Sequence, residues 1–297
     1  MLPQRFIGRI GAGLVVLAVA GFAYVLLGPG RTAPPAPVPD PNGYDDLVRA
    51  GKQLGKDSAD YSAMDQEELR AWVEVNAEAL KLARQGLSRE CRVPSDFSPT
   101  WMTAHMAELP ALKSLARAFV AEGRLAELEN RPSDAVRSYL EAVRLGHRGF
   151  RGGPMIDALV GLACEAVGLG PLQKLLPNLT AKDCREAIQV LETLEANRET
   201  YDQVLKNEKA WARRSFGWRE KLGGLLAYRT LKKSRQSLQT RMNERELQSR
   251  TLLVDLAVRA YELEKGARPK TLNALVPDYL QRIPQDPMTG TNLADRL

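Results

Sequence analysis

Between Asp65 and Gly86 the apolar residues Leu69, Trp72, Val73, Ala77, Leu80 and Ala83 recur at intervals of three and four, which places them on one helix face. Asp65 and Glu68 stand at capping-box spacing and predict the start of that helix; Gly86 predicts its end. Ser98-Pro99 predicts the N-cap and first residue of the next helix, which Pro110 is expected to break or kink. Phe119 to Leu145 predicts a helical hairpin turning at Asn130. The Ala/Gly-rich stretch Arg151 to Pro171 predicts a helix with glycine at both ends. Thr180 with Asp183 starts another, in which Ala187, Val190, Leu191 and Leu194 repeat the period. A last helix runs from Thr251 to Gly266. Strand-like alternation is nowhere sustained, so the expected fold class is all-α: packed helical hairpins over 43–265, as one domain or two lobes.

Both ends depart from this pattern. Ile10 to Gly30 holds 21 residues without a charge, and about 20 apolar residues span a bilayer as a helix. Arg5 and Arg9 precede it, which predicts an N-in membrane anchor (1–30) with the bulk outside the cytoplasm. A cleaved signal peptide is the rival, with Ala18-Val19-Ala20 as cleavage site; the apolar run on through Leu27 favours the anchor. Counting five from Gly8 reaches Gly13 rather than Glu, which excludes a pilin-type leader. Six prolines between Pro29 and Pro41 make 31–42 an extended spacer, able to lift the body about 40 Å at roughly 3.1 Å per residue. At the other end, 266–297 is punctuated by Pro269, Pro277, Pro284 and Pro287. Between them Leu272, Leu275, Val276, Tyr279, Leu280 and Ile283 form an apolar set, which predicts a clasp across Leu252 to Leu263. Asp286-Pro287 with Thr289-Gly290 predicts a closing turn. Asp286 alone is too few ligands for calcium.

Composition adds two things. Aromatic residues make up 6% of the chain, so Leu, Ala and Val must build the core. The net charge of +6 is concentrated: Lys206 to Arg250 holds 13 Lys and Arg against 4 Glu, a local balance of +9. This segment admits three readings: a solvated helix face, an amphipathic helix on anionic headgroups, or a surface for an anionic polymer or protein partner. Its contact residues would be Arg213, Arg214, Trp218, Arg219, Lys221, Arg229, Lys232 and Lys233. A basic patch alone specifies no nucleic acid, and an exported segment would not meet one.

Catalytic signatures are missing. There is no HExxH, GxSxG, P-loop or EF-hand loop, and no cofactor or metal ligand set is legible. His105 and His147 read as core or surface residues rather than catalysts. The adjacent acids Asp45-Asp46 and Glu67-Glu68 read as solvated charges at helix starts. Cys91, Cys164 and Cys184 read as small buried hydrophobes, with one disulfide as the alternative. Asn178-Leu179-Thr180 fits a glycosylation sequon, relevant only to a eukaryotic secretory route.

Three resemblances follow from these residues. Phe119, Gly123, Asn130, Ala135, Tyr139 and Ala142 stand at the spacings of one tetratricopeptide unit, with Glu122 and Ala126 departing from its pattern and no neighbouring repeat. The tail from Gly266 to Gly290 resembles the segment after the long helix of the major pseudopilin of type II secretion. The order NGYDDLVRAGKQL, ECRVPSDF, hairpin, RGGPMIDALVGLA and tail resembles a group of uncharacterised membrane-anchored helical proteins of planctomycete-type bacteria. That last resemblance implies fold and location but no activity. The leading functional expectation is a non-enzymatic scaffold or partner-binding protein of the cell envelope. An accessory component of a secretion or pilus-like assembly comes second, and an enzyme whose site is assembled from distant residues comes third.

Overall fold

The structure is a computed structural model that describes residues 37–55, 61, 63–96, 98, 100–216 and 228–293; the side chains of Phe216, Tyr228 and Arg229 are outside that set. The expected membrane helix and the spacer up to residue 36 lie outside the described residues. Among the described residues nine α-helices and no strand occur: α1 (Gly43–Gln53), α2 (Gln66–Val75), α3 (Ala77–Ser88), α4 (Trp101–Leu128), α5 (Pro132–Arg148), α6 (Met155–Leu175), α7 (Ala181–Ala196), α8 (Tyr201–Phe216) and α9 (Tyr228–Lys265). Two 3-10 turns, Leu176–Asn178 and Leu272–Leu275, follow α6 and α9. The expected all-α class is observed.

The helix starts follow local chemistry. The Asp65 carboxylate accepts from the backbone N–H of Glu67 and Glu68, and Glu68 accepts from the N–H of Asp65. Thr180 and Asp183 make the same reciprocal cap on α7. Asn130 carries the positive φ of 57° at which the α4–α5 hairpin turns, a conformation asparagine tolerates better than most residues.

Four expectations about helices are corrected. The helix predicted from Asp65 to Gly86 is two, because Asn76 interrupts it. The Asn76 amide donates to the Trp72 carbonyl at 2.8 Å and accepts from Gly55 N–H at 3.0 Å, an alternative to the helix ladder that short amides offer. Gly86 does not end α3, which continues to Ser88; it lies where α1 crosses, and a Cβ there would stand 2.8 Å from the Gly43 carbonyl oxygen. α4 spans Trp101–Leu128, with the Ser98 hydroxyl accepting from Trp101 N–H, and it runs on through Pro110. Pro110 is on the exposed side, so the carbonyl it frees belongs to exposed Met106, where water satisfies it. α6 is displaced from the predicted 151–171 to Met155–Leu175, with Pro171 inside it.

The core is one large cluster drawn from α1, α3–α7, α9 and the tail, centred on Tyr44, Leu112, Leu115, Phe119, Tyr139, Leu145, Leu169 and Leu191. Each fully buried Leu contributes roughly 1.5–3 kcal/mol. α5 and α6 pack closely, because Gly146 faces Gly161: a Cβ on Gly146 would stand 2.5 Å from the Gly161 carbonyl oxygen. In the hairpin, a Cβ on Gly123 would stand 2.4 Å from the Tyr139 ring, so glycine there admits the tyrosine. α6 with its 3-10 extension, Met155–Asn178, is long and apolar enough to cross a membrane by length and composition. Here it is a core helix, packed on α4, α5 and α9.

The tail behaves as the predicted clasp. Leu272, Leu275, Tyr279 and Leu280 are buried, and Val276 and Ile283 pack against the same core. The closing turn is held by Asp286: its carboxylate accepts from Met288 N–H at 2.7 Å, and its carbonyl from Gly290 N–H at 2.8 Å. Cys91, Cys164 and Cys184 are all free and buried, and burial pushes their thiols up to about 11, 12 and 11, so they act as small core residues.

Candidate functional site

The exposed side of α5 forms the floor of a groove of about 700 Å³, walled by α2, α3 and α4 on one side and α7 on the other. Its apolar lining comes from Val73, Leu125, Ala126, Val136, Leu140 and Val190. Between these apolar positions stand charges that the helices already pair. Arg84 pairs with Glu122, which also accepts from the Ser138 hydroxyl at 2.6 Å. Arg131 and Arg137 both reach Asp134, at 2.5 and 2.9 Å. Arg144 reaches Glu141 at 2.6 Å. Such paired surface charges add little stability, but they give the groove a rim without large net charge.

At Arg144, Gln189 and Val190 the groove passes into a second bay of about 400 Å³, which His147, Arg148, Arg151, Thr193, Leu194 and Asn197 complete. Among the described residues no carboxylate lines it. Arg148 donates to the Leu87 and Arg89 carbonyls at 2.9 and 3.3 Å. His147 is 7% exposed, and neither ring nitrogen has a hydrogen-bond partner among the described residues. Burial and the neighbouring Arg198, Arg151 and Arg148 hold it down to about 3, so the ring is neutral at physiological pH.

His105 has a different environment. Its Nε2 lies 2.8 Å from Asp157 Oδ1, and its Nδ1 lies 3.1 Å from the Tyr44 hydroxyl, which also reaches Glu108 at 3.1 Å. The Tyr44 hydroxyl has one proton, which the Glu108 carboxylate accepts. Trp101 stacks on the imidazole with centroids 4.5 Å apart. Burial raises the Asp157 carboxyl, against the opposing hydrogen bond from His105; burial and Glu108 push the Tyr44 hydroxyl well up. The chain could relay a proton, but the His105 and Asp157 side chains are 1% and 0% exposed. They act as a polar pin joining α1, α4 and α6.

The predicted contact surface is divided. Arg213 is exposed and Arg214 half-buried at the end of α8; Lys232 and Lys233 are exposed near the start of α9. Trp218, Arg219 and Lys221 lie outside the described residues, as does the Arg229 side chain. The far end of the basic segment serves the fold. Arg250 pairs with Glu195 at 3.3 Å and with Glu246, and donates to the Gln285 carbonyl at 2.6 Å. Asp46 corrects a further expectation: it is not solvated but buried, between Arg49 and Arg89, the latter at 2.5 Å.

The groove residues were not singled out from sequence. They come from five helices and are adjacent only after folding; the one local signal was the hairpin that supplies α4 and α5. No family model matches the chain, and no curated protein or solved structure matches it.

Proposed function

We propose that this protein is a membrane-anchored scaffold of the cell envelope that receives a segment of a partner protein in the groove across α5. The observation that carries this reading is the groove itself: about 700 Å³, with an apolar floor and a rim of charges already paired. A pocket in the range of 300–1,000 Å³ holds several side chains, and an apolar floor with a polar rim is the anatomy of a protein interface. The anchor at 10–30 and the proline spacer support placing this body outside the cytoplasm. The close contact of Gly123 with Tyr139 supports reading α4–α5 as a tetratricopeptide-like hairpin, and the resemblance to planctomycete-type envelope proteins agrees with the same placement. The assembly reading rested on the tail, whose apolar residues are spent on the core rather than offered to a partner.

Site-specific photocrosslinking of the full chain in native membranes tests this. Crosslinkers replace Arg137 or Gln189, both exposed at the groove, or Thr240 on α9. The expected result is a discrete adduct from the two groove positions, absent at Thr240 and abolished when the adduct at Arg137 is sought in a Gln189→Trp background that fills the groove. Equal adducts at all three positions, or none at the groove, would contradict the reading.

A further inference from the structure

The 400 Å³ bay between α5 and α7 holds positive charge that its own lining does not offset. Of its three arginines, Arg144 is committed to Glu141, and Arg148 uses two donors on the carbonyls that end α3. The half-buried Arg151 guanidinium makes no hydrogen bond or salt bridge to any other described residue. Beside it stands the buried His147 ring, with both nitrogens unpartnered. A buried polar group without a partner costs about 1–3 kcal/mol and calls for an explanation in what the site holds.

Two effects act against this positive charge. The C-terminal ends of α5 and α7 point toward the bay, and each carries about half a negative charge that fades within the last turn. Those ends are partly satisfied already, by Gly149 N–H on Leu145 at 2.9 Å and by Asn197 N–H on Leu194 at 3.0 Å. On the far side of His147 a cavity of about 40 Å³ is also lined by Glu165, Arg198 and Glu199. There Glu165 is paired with Arg198 at 3.1 Å, and Glu199 accepts from Gly152 N–H and from Asn207. Arg151 also lines this small cavity, where its charge acts through space on Glu199, but Glu199 spends its hydrogen bonds on Gly152 and Asn207, and among the described residues no carboxylate reaches the Arg151 guanidinium.

We infer that this bay is a binding site for an oxyanion, a carboxylate or phosphate group, held chiefly by Arg151 and Arg148 with His147 in its wall. Guanidinium groups match the geometry of both anions. The inference stands apart from the groove reading, since a free anion would fill the bay whether or not a partner lies along α5. The anion could be small and free, or be borne by an acidic chain.

The test is calorimetric titration of detergent-solubilised full-length protein at pH 7. Sodium phosphate and a tetraglutamate peptide are compared with sodium chloride at matched ionic strength. Saturable binding of phosphate or peptide is expected, weakened at least tenfold by Arg151→Gln, largely kept by Arg151→Lys, and unchanged by Arg282→Gln at an exposed surface cation of the tail. Tighter binding of the peptide assigns the anion to an acidic chain; tighter binding of phosphate assigns it to a small solute. Heats no different from chloride, or equal losses in Arg151→Gln and Arg282→Gln, overturn the inference. Circular dichroism checks each fold; if Arg151→Gln unfolds, Arg151→Lys and the wild-type comparison with chloride decide, and no preference over chloride overturns it.

Discussion

The tail and the α8–α9 arm invert the usual association between regular structure and firm packing. The tail from Gly266 to Leu293 has one short 3-10 turn and one isolated bridge, yet four of its apolar side chains are buried in the main core. It is also tied to its neighbours. Arg185 reaches Glu264 at 2.7 and 2.8 Å and lies 4.3 Å above the Tyr279 ring, while the Tyr279 hydroxyl donates to Glu264 at 2.7 Å. Together these hold the Glu264 carboxyl down to about 2. α9, by contrast, is 38 residues of continuous helix, but from Thr230 to Gln248 Leu238 is its one buried side chain. Leu238 shares a small satellite cluster with Leu162 and Val204.

A different physical term holds each element. Lys, Arg, Gln, Glu and Leu are good helix formers, and a helix nucleated in the packed half of α9 extends at little cost into the arm. The arm is therefore regular without much burial. The tail cannot be regular, because four prolines interrupt it, so it is held almost wholly by burial and by hydrogen bonds to α7 and α9.

The largest effect is expected in the tail. Leu275→Ala and Tyr279→Ala each lower the unfolding free energy by roughly 2–5 kcal/mol, the range for emptying a buried site, read by denaturant melts of the whole chain. Melts matching wild type would mean that the tail is an appendage. A truncation ending at Gly266 would remove core, so the loss of a partner on truncation would report unfolding rather than recognition.

Next in size is a pH effect seated beside the groove. His147 is held down to about 3, from an ordinary value of 6.5, so the unfolded chain binds the proton that the folded chain refuses. Its neutral form contributes stability that is present above about 6.5 and is lost as pH falls toward 3. A loss of about 3 kcal/mol between pH 6.5 and 4 is the scale such a shift implies. Asp157 and Glu165, raised by burial, act in the opposite direction, so the measured quantity is the difference between wild type and His147→Asn. Wild type should lose more stability than the variant between pH 6.5 and 4; parallel curves would count against a buried neutral ring.

Much of the architecture was legible where one residue's local chemistry decides. Asp65 with Glu68, Thr180 with Asp183, the turn at Asn130 and the apolar positions of the tail are of this kind. What escaped depended on partners far along the chain. Asn76 reads as an unremarkable helix residue until Gly55 supplies its N–H, and Pro110 reads as a breaker unless its exposed side is known. Asp46 reads as a solvated N-terminal acid until Arg89 closes over it. His105 and Asp157 are 52 residues apart, and no spacing rule joins them. The groove escaped for the same reason, since α5 supplies its floor while its walls come from segments as distant as Val73 and Val190.

The comparison meets its most direct test in native-state hydrogen exchange on the full chain, with wild type beside Leu238→Ala. The smallest change belongs here: about 2 kcal/mol, near the low end for removing a buried leucine, confined to local opening of the arm rather than to the global transition. The account predicts slow exchange at Tyr279 and Leu280, whose N–H groups bond the Leu275 carbonyl at 2.8 and 3.0 Å. It predicts fast exchange from residue 230 to 246, faster still in Leu238→Ala, with the tail unmoved. A tail that exchanges as fast as the arm, or an arm as protected as the core, would contradict it.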